Sequence, residues 1–209
     1  MTADINNTKC DENTIKIGCV IMASGTGERF GGGKLLTPFL GVPMIRYILD
    51  TTEGLFDERI VITRNEQVEC LCRESGIPVI RHGFPDKSDT VRIGLAALSS
   101  CSNVMFVPAD QPLLSKETLR KLLASVKAEP GFIWRASYKD NPGAPVFFPS
   151  WAYPELLTLT GGGGNSVARR YEDLVRTVNA ASAFELRDID YKEDLAELER
   201  YARQKLPTQ

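Results

Sequence analysis

The chain has 209 residues, 43% hydrophobic and 25% charged, a balance that suits one globular domain with a sizeable core. A formal net charge of −2 argues against a general affinity for nucleic acid, which rests on surplus Lys and Arg. No apolar run approaches the roughly 20 residues of a membrane helix, and residues 1–14 are polar, without the apolar core of an export signal. The expectation is therefore a cytoplasmic protein that does not partner nucleic acid or membrane, with a disordered tail over residues 1–14 and a single domain over residues 15–209. The five cysteines, Cys10, Cys19, Cys70, Cys72 and Cys101, lack metal-site spacing and read as free, mostly buried thiols. His82 is the only histidine, so no multi-histidine metal site is available, and no Ser-His-Asp context surrounds it.

In chain order, a buried strand is predicted over residues 16–22. It feeds the glycine-dense segment Met22-Ala-Ser-Gly-Thr-Gly-Glu-Arg-Phe-Gly-Gly-Gly-Lys34. Glycines let backbone N–H groups converge, and Arg29 and Lys34 add positive charge, a combination suited to a nucleoside triphosphate. A Walker loop is excluded because Leu35 stands where the magnesium-binding hydroxyl belongs. A dinucleotide fingerprint starting at Gly25 fails because Phe30 occupies the third glycine position. Pro43 fits a first helical turn, with Met44, Ile45, Ile48 and Leu49 forming one apolar stripe.

Strands follow over residues 59–63, 78–81 and 103–107, with a helix containing Val91, Leu95 and Leu98 before the last of them. Ser115 reads as the N-cap of a helix whose Leu119, Leu122, Leu123 and Val126 recur at helical spacing. Further strands are expected over 132–138, 145–148 and 183–187, a short helix over 153–159, a flexible turn at Gly161–Gly164 and a helix starting within 165–171. Asp190-Tyr-Lys-Glu193 has capping-box spacing before Leu195 and Leu198. Apolar runs alternating with helical segments predict βαβ units and a mostly parallel sheet covered on both faces.

Taken together, the first glycine loop, Ser88-Asp-Thr-Val-Arg-Ile-Gly-Leu95, Val107-Pro-Ala-Asp-Gln-Pro-Leu-Leu114, Gly143-Ala-Pro-Val-Phe-Phe148 and Asp188-Ile-Asp-Tyr-Lys-Glu-Asp-Leu195 resemble the MobA-like nucleotidyltransferases. Within that family the pattern is most similar to the molybdenum cofactor cytidylyltransferases, and it extends over residues 16–198. The resemblance implies an α/β fold, a three-layer αβα sandwich of Rossmann type. It also implies Mg2+-dependent transfer of CMP from CTP to the terminal phosphate of molybdenum-bound molybdopterin, on behalf of an apo molybdenum hydroxylase. Three alternatives stay open: a GTP-using guanylyltransferase, a cytidylyltransferase of the methylerythritol-phosphate type, and a non-catalytic cofactor carrier.

Asp110 follows a strand at its C-terminal end, the edge where open parallel sheets bind ligands, and is the first expected magnesium ligand. The resemblance makes Asp188 the second, while a structural N-cap suffices to explain Asp190. Lys34 is expected near the α-phosphate and Arg29 near the leaving β- and γ-phosphates. By resemblance, Ala23, Ser24 and Gly25, within the loop that continues through Thr26 and Gly27, lie against the base and sugar. Thr90 and Gly94 are expected opposite, although Thr90 could instead cap its helix. Two departures from the family pattern fall on the acceptor side. Gly161-Gly-Gly-Gly164-Asn165 lacks a common aspartate, and Ala144 replaces a common asparagine.

Overall fold

In the computed structural model, residues 15–205 are described, so the tail expected over residues 1–14 lies outside them. The elements run β1 (Ile17–Ala23), β2 (Pro38–Phe39), β3 (Val42–Pro43), α1 (Met44–Thr52), β4 (Glu58–Thr63), α2 (Glu66–Glu74), β5 (Val79–Arg81) and α3 (Lys87–Ala97). They continue with β6 (Asn103–Pro108), α4 (Lys116–Ala128), β7 (Ile133–Tyr138), β8 (Asn141–Pro149), α5 (Tyr153–Leu157), α6 (Asn165–Arg170), β9 (Val175–Asn179) and α7 (Lys192–Lys205). Seven strands form one sheet in the order β5-β4-β1-β6-β8-β7-β9. Only β8 opposes its neighbours; every other pairing in this sheet is parallel.

Alternation along the central strands sorts the core into two faces. On β1, Ile17, Cys19, Ile21 and Ala23 join Met105 and Val107 of β6 in a cluster with α1, α2, α4 and α7. The intervening Val20 joins Val104 and Phe106 in a second cluster under α3, α5 and α6. A sheet buried on both sides gives the near-continuous apolar runs seen in the sequence. The outcome is the expected three-layer α/β sandwich.

Gly94 has a packing reason. A Cβ there would stand 2.7 Å from both γ-carbons of Val20, so glycine lets α3 lie directly on β1. Two expectations are corrected. Residues 183–187 are not a strand; Ala183–Leu186 form a 3-10 turn, and the outer strand is β9, which pairs in parallel with β7. Pro43 is not in the first turn of α1 but precedes it as the N-cap, paired with Pro38 in the small β2–β3 ribbon.

Candidate active site

The chain leaves β1 for β4 and β5 on one side of the sheet, then crosses to β6 on the other, so the ends of β1 and β6 flank a topological switch point. Beyond β1, Gly27, Gly31, Gly32 and Gly33 all have positive φ, between 62° and 97°. These left-handed residues fold the loop into two short 3-10 turns, anchored by buried Phe30 and Leu35. Arg29 and Lys34 are thereby brought to one acidic cluster.

Lys34 is 8% exposed, and its Nζ donates to Asp110 Oδ2 at 2.6 Å and to Asp190 Oδ1 at 3.4 Å. Arg29 Nη2 stands 2.9 Å from Asp190 Oδ2, and its guanidinium lies over the Tyr191 ring. Asp190 is therefore a member of the site and not the predicted capping box. The carboxylate that accepts from the backbone N–H groups of Asp190 and Tyr191 belongs to Asp194.

Asp188 borders the same cleft. Its side chain is exposed at the cavity wall yet ringed by protein, and that desolvation, followed by the charge of Asp110, pushes its carboxyl above the usual range. Gln111 Nε2 donates to Asp188 Oδ1 (2.8 Å) and to the Leu186 carbonyl (3.1 Å). Both neighbours are acceptors, which fixes the orientation of the amide. Gln111 Oε1 is left buried without a partner among the described residues.

Two carboxylates in mutual repulsion beside an orphaned amide oxygen make a donor set that suits a hard divalent cation with oxygen ligands. Asp110 and Asp188 are the carboxylates that would hold it. Magnesium commonly takes its remaining ligands from phosphates and water.

The meeting of distant segments has a physical cause. The Ala109 N–H bonds the Met22 carbonyl, tying the end of β6 to β1, and the Ile189 N–H bonds the Asp110 carbonyl. Glu185, 7% exposed, accepts four hydrogen bonds, from Ser115 N and Oγ, Thr118 Oγ1 and Ala181 N. It pins the turn before Asp188 to the N-terminus of α4, whose predicted N-cap Ser115 is confirmed by its bond from the Thr118 N–H.

On the other side of the loop, Ser24, Gly25, Thr26 and Thr90 line a cavity of about 180 Å³ with Arg64 and Lys87. Thr90 does not cap α3; Asp86 does, in a reciprocal box with Asp89. The Thr90 Oγ1 and Ser88 Oγ hydroxyls are instead buried without partners among the described residues. Gly94 is turned toward Val20 and is not among the residues lining this cavity.

Ser24 Oγ donates to the Ile62 carbonyl (3.1 Å) and so accepts from His82 Nε2 (2.9 Å). Desolvation, then the Arg64 charge, lowers the His82 pKa. With the Ser24 proton turned away and, among the described residues, no carboxylate on buried His82 Nδ1, this pair is a brace for the loop and not a nucleophilic dyad. Sequence reasoning missed both His82 and Lys87. Lys87 also lines a second cavity, of about 240 Å³, with Gln111, Arg135, Ala144, Asn165 and Asp188 on its wall.

A doubly wound α/β fold with a glycine loop, two cations and converging carboxylates at its switch point defines the class of proteins that handle nucleoside triphosphates. The model of the MobA-like NTP transferase domain matches residues 19–175, and the chain belongs to that family.

Among curated relatives, the molybdenum cofactor guanylyltransferase of Vibrio atlanticus is 27% identical over 161 residues, 75% of this chain and 80% of that one. The bifunctional protein GlmU of Rubrobacter xylanophilus is 33% identical over 110 residues, and the match spans only 24% of its length. Among solved structures, Rv0371c of Mycobacterium tuberculosis superposes with a TM-score of 0.79 at 23% identity, covering 88% of this chain and 98% of that one. A structure of the same protein complexed with manganese has a TM-score of 0.73 at 22% identity, with the same coverages. CMP:2-keto-3-deoxy-manno-octonic acid synthetase complexed with CTP shares the fold with a TM-score of 0.70 at 16% identity, covering 91% and 100%. Among the described residues, no helix is long and apolar enough to cross a membrane.

Proposed function

We propose that the protein transfers CMP from CTP to the terminal phosphate of molybdenum-bound molybdopterin and releases pyrophosphate. The observation that carries the reading is the array of Lys34, Asp110, Asp190 and Arg29 closing over the glycine loop, with Asp188 alongside. These cations and carboxylates neutralise each other and are poised to exchange partners. On arrival of the triphosphate, Lys34 turns from Asp110 to the phosphate oxygens, and Arg29 neutralises the leaving end. Asp110 and Asp188 would hold a divalent cation, which would supply the remaining charge neutralisation.

An oxygen of the acceptor phosphate then attacks the α-phosphorus. The bond from that phosphorus to the bridging oxygen breaks, and pyrophosphate leaves with the electron pair. A phosphate monoester has a second pKa of about 6 and is already largely ionised, so no general base is needed. Positioning and electrostatics carry the reaction.

The cavity beside Ser24 and Thr26 is the place for the base, and the resemblance of the sequence motifs to those of molybdenum cofactor cytidylyltransferases favours a pyrimidine there. The similarity to a molybdenum cofactor guanylyltransferase favours GTP as the second reading. Calorimetric titration with CTP, GTP and ATP in the presence of magnesium tests the donor: a clear preference for CTP is expected, and equal weak heats for all three contradict it. Pyrophosphate release with molybdopterin as acceptor separates catalysis from mere carriage of the cofactor.

A further inference from the structure

The cavity that holds Asp188 does not end at the reacting centre. Arg135 forms part of its wall and also lines a larger neighbouring cavity of about 610 Å³, together with Lys139, Asn165 and Arg169. That volume lies within the range of small-molecule sites. Arg135 spends Nε and Nη2 on one acceptor, the Gly143 carbonyl (3.1 and 3.0 Å), with a longer contact from Nη2 to Asn165 Oδ1 (3.4 Å). Its Nη1 is bonded to no acceptor among the described residues.

Asp140 and Glu172 also line the larger cavity. Even so, among the described residues none of Lys87, Arg135, Lys139 or Arg169 forms an ion pair. Half-burial of Arg135 without a carboxylate, next to a second guanidinium, leaves uncompensated charge, and both effects depress its pKa. At the inner end, the Lys87 side chain runs past Gly163, whose Cβ position is 3.8 Å from Lys87 Cδ, and reaches both the nucleotide-side and the acceptor-side cavities.

We propose that the acceptor carries two separated anionic groups: the reacting phosphate beside Lys87, and a second anion gripped by Arg135 and Arg169 in the larger cavity. The proposal rests on the nucleotidyl-transfer reading for the role of the first phosphate and adds the chemical class of the acceptor's far end. Guanidinium groups suit this task because their fork of donors matches phosphate or carboxylate oxygens. Asn165, on the rim of both cavities, offers an amide that accommodates an anion where a carboxylate would repel it.

The test uses the full chain with magnesium and titrates in a short alkane bisphosphate and the alkyl monophosphate of equal length, with and without a non-transferable CTP analogue. The bisphosphate should bind at least about tenfold more tightly, the worth of charge-assisted bonds to its second end. Arg169→Gln, at an exposed position, should erase that preference and leave affinity for the CTP analogue unchanged; Arg169→Lys should restore part of it. Equal binding of the two probes to the unmodified chain, or an undiminished preference in Arg169→Gln, overturns the proposal. If the analogue fails to bind while the bisphosphate preference persists, the cytidylyl reading falls and the distal anion site stands.

Discussion

At the residue scale, Asp110 is the pivot of the site because it faces both Lys34 and Asp188. Asp110→Asn keeps the shape and an oxygen that can accept from Lys34, but removes the charge a divalent cation needs. Turnover should fall by at least about 10²–10³-fold, the usual cost of deleting one such electrostatic element. Asp190 remains within reach of Lys34, so the loss of stability should be held to about 1–3 kcal/mol. Pyrophosphate release and urea unfolding measure the two effects, and near-normal turnover would show that Asp110 is not a metal ligand.

Why Asp110 was readable from sequence and Asp190 was misread comes down to locality. Asp110 sits directly behind an apolar strand, whereas Asp190 carries a real capping spacing to Glu193. The structure gives the capping work to Asp194 and sends Asp190 across to Arg29 and Lys34. A short-range pattern cannot register a partner more than 150 positions away. Lys87, Arg135 and Arg169 were invisible for the same reason, since each comes from a different element.

At the scale of elements, the sheet interior was legible because its strands are buried on both faces, and the periphery was not. β9 is Val-Arg-Thr-Val-Asn with no buried residue, so it offers no apolar run to detect. The turn at Ala183–Leu186 imitates a strand in composition, but its buried residue is Glu185, which makes the turn a clamp. Removing all four acceptor contacts in Glu185→Ala should cost about 3 kcal/mol and also lower kcat, because Asp188 loses its anchorage to α4.

Glu185→Gln retains an oxygen facing Ser115 and Thr118 and sacrifices chiefly the bond from the Ala181 N–H, so it should lie between the unmodified chain and Glu185→Ala in both measurements. Thermal unfolding and steady-state rates check the order. A Glu185→Ala protein with full activity would mean that Asp188 is positioned without the clamp.

At the scale of the whole molecule, the site is assembled from the β1 loop, the end of β6 and the segment before α7, three regions that share no local contact in sequence. A ligand that bridges them should therefore stabilise the fold as a unit, by linkage, in proportion to how far its concentration exceeds the dissociation constant. At about a hundredfold excess the gain is roughly 2.7 kcal/mol. For a chain of this size each kcal/mol moves the midpoint by about 2–4 °C, so CTP with magnesium should raise Tm by about 5–10 °C.

Chelating the divalent ion should remove most of that shift. Without it, the triphosphate brings several negative charges toward Asp110, Asp188 and Asp190, and Arg29 and Lys34 are already engaged with two of those carboxylates. Asp110→Asn should behave like the chelated protein even with magnesium present. Differential scanning of both proteins, with CTP, magnesium and EDTA in all combinations, gives the answer. A shift that survives both EDTA and the substitution would place the triphosphate on the cations alone and take the paired carboxylates out of nucleotide binding.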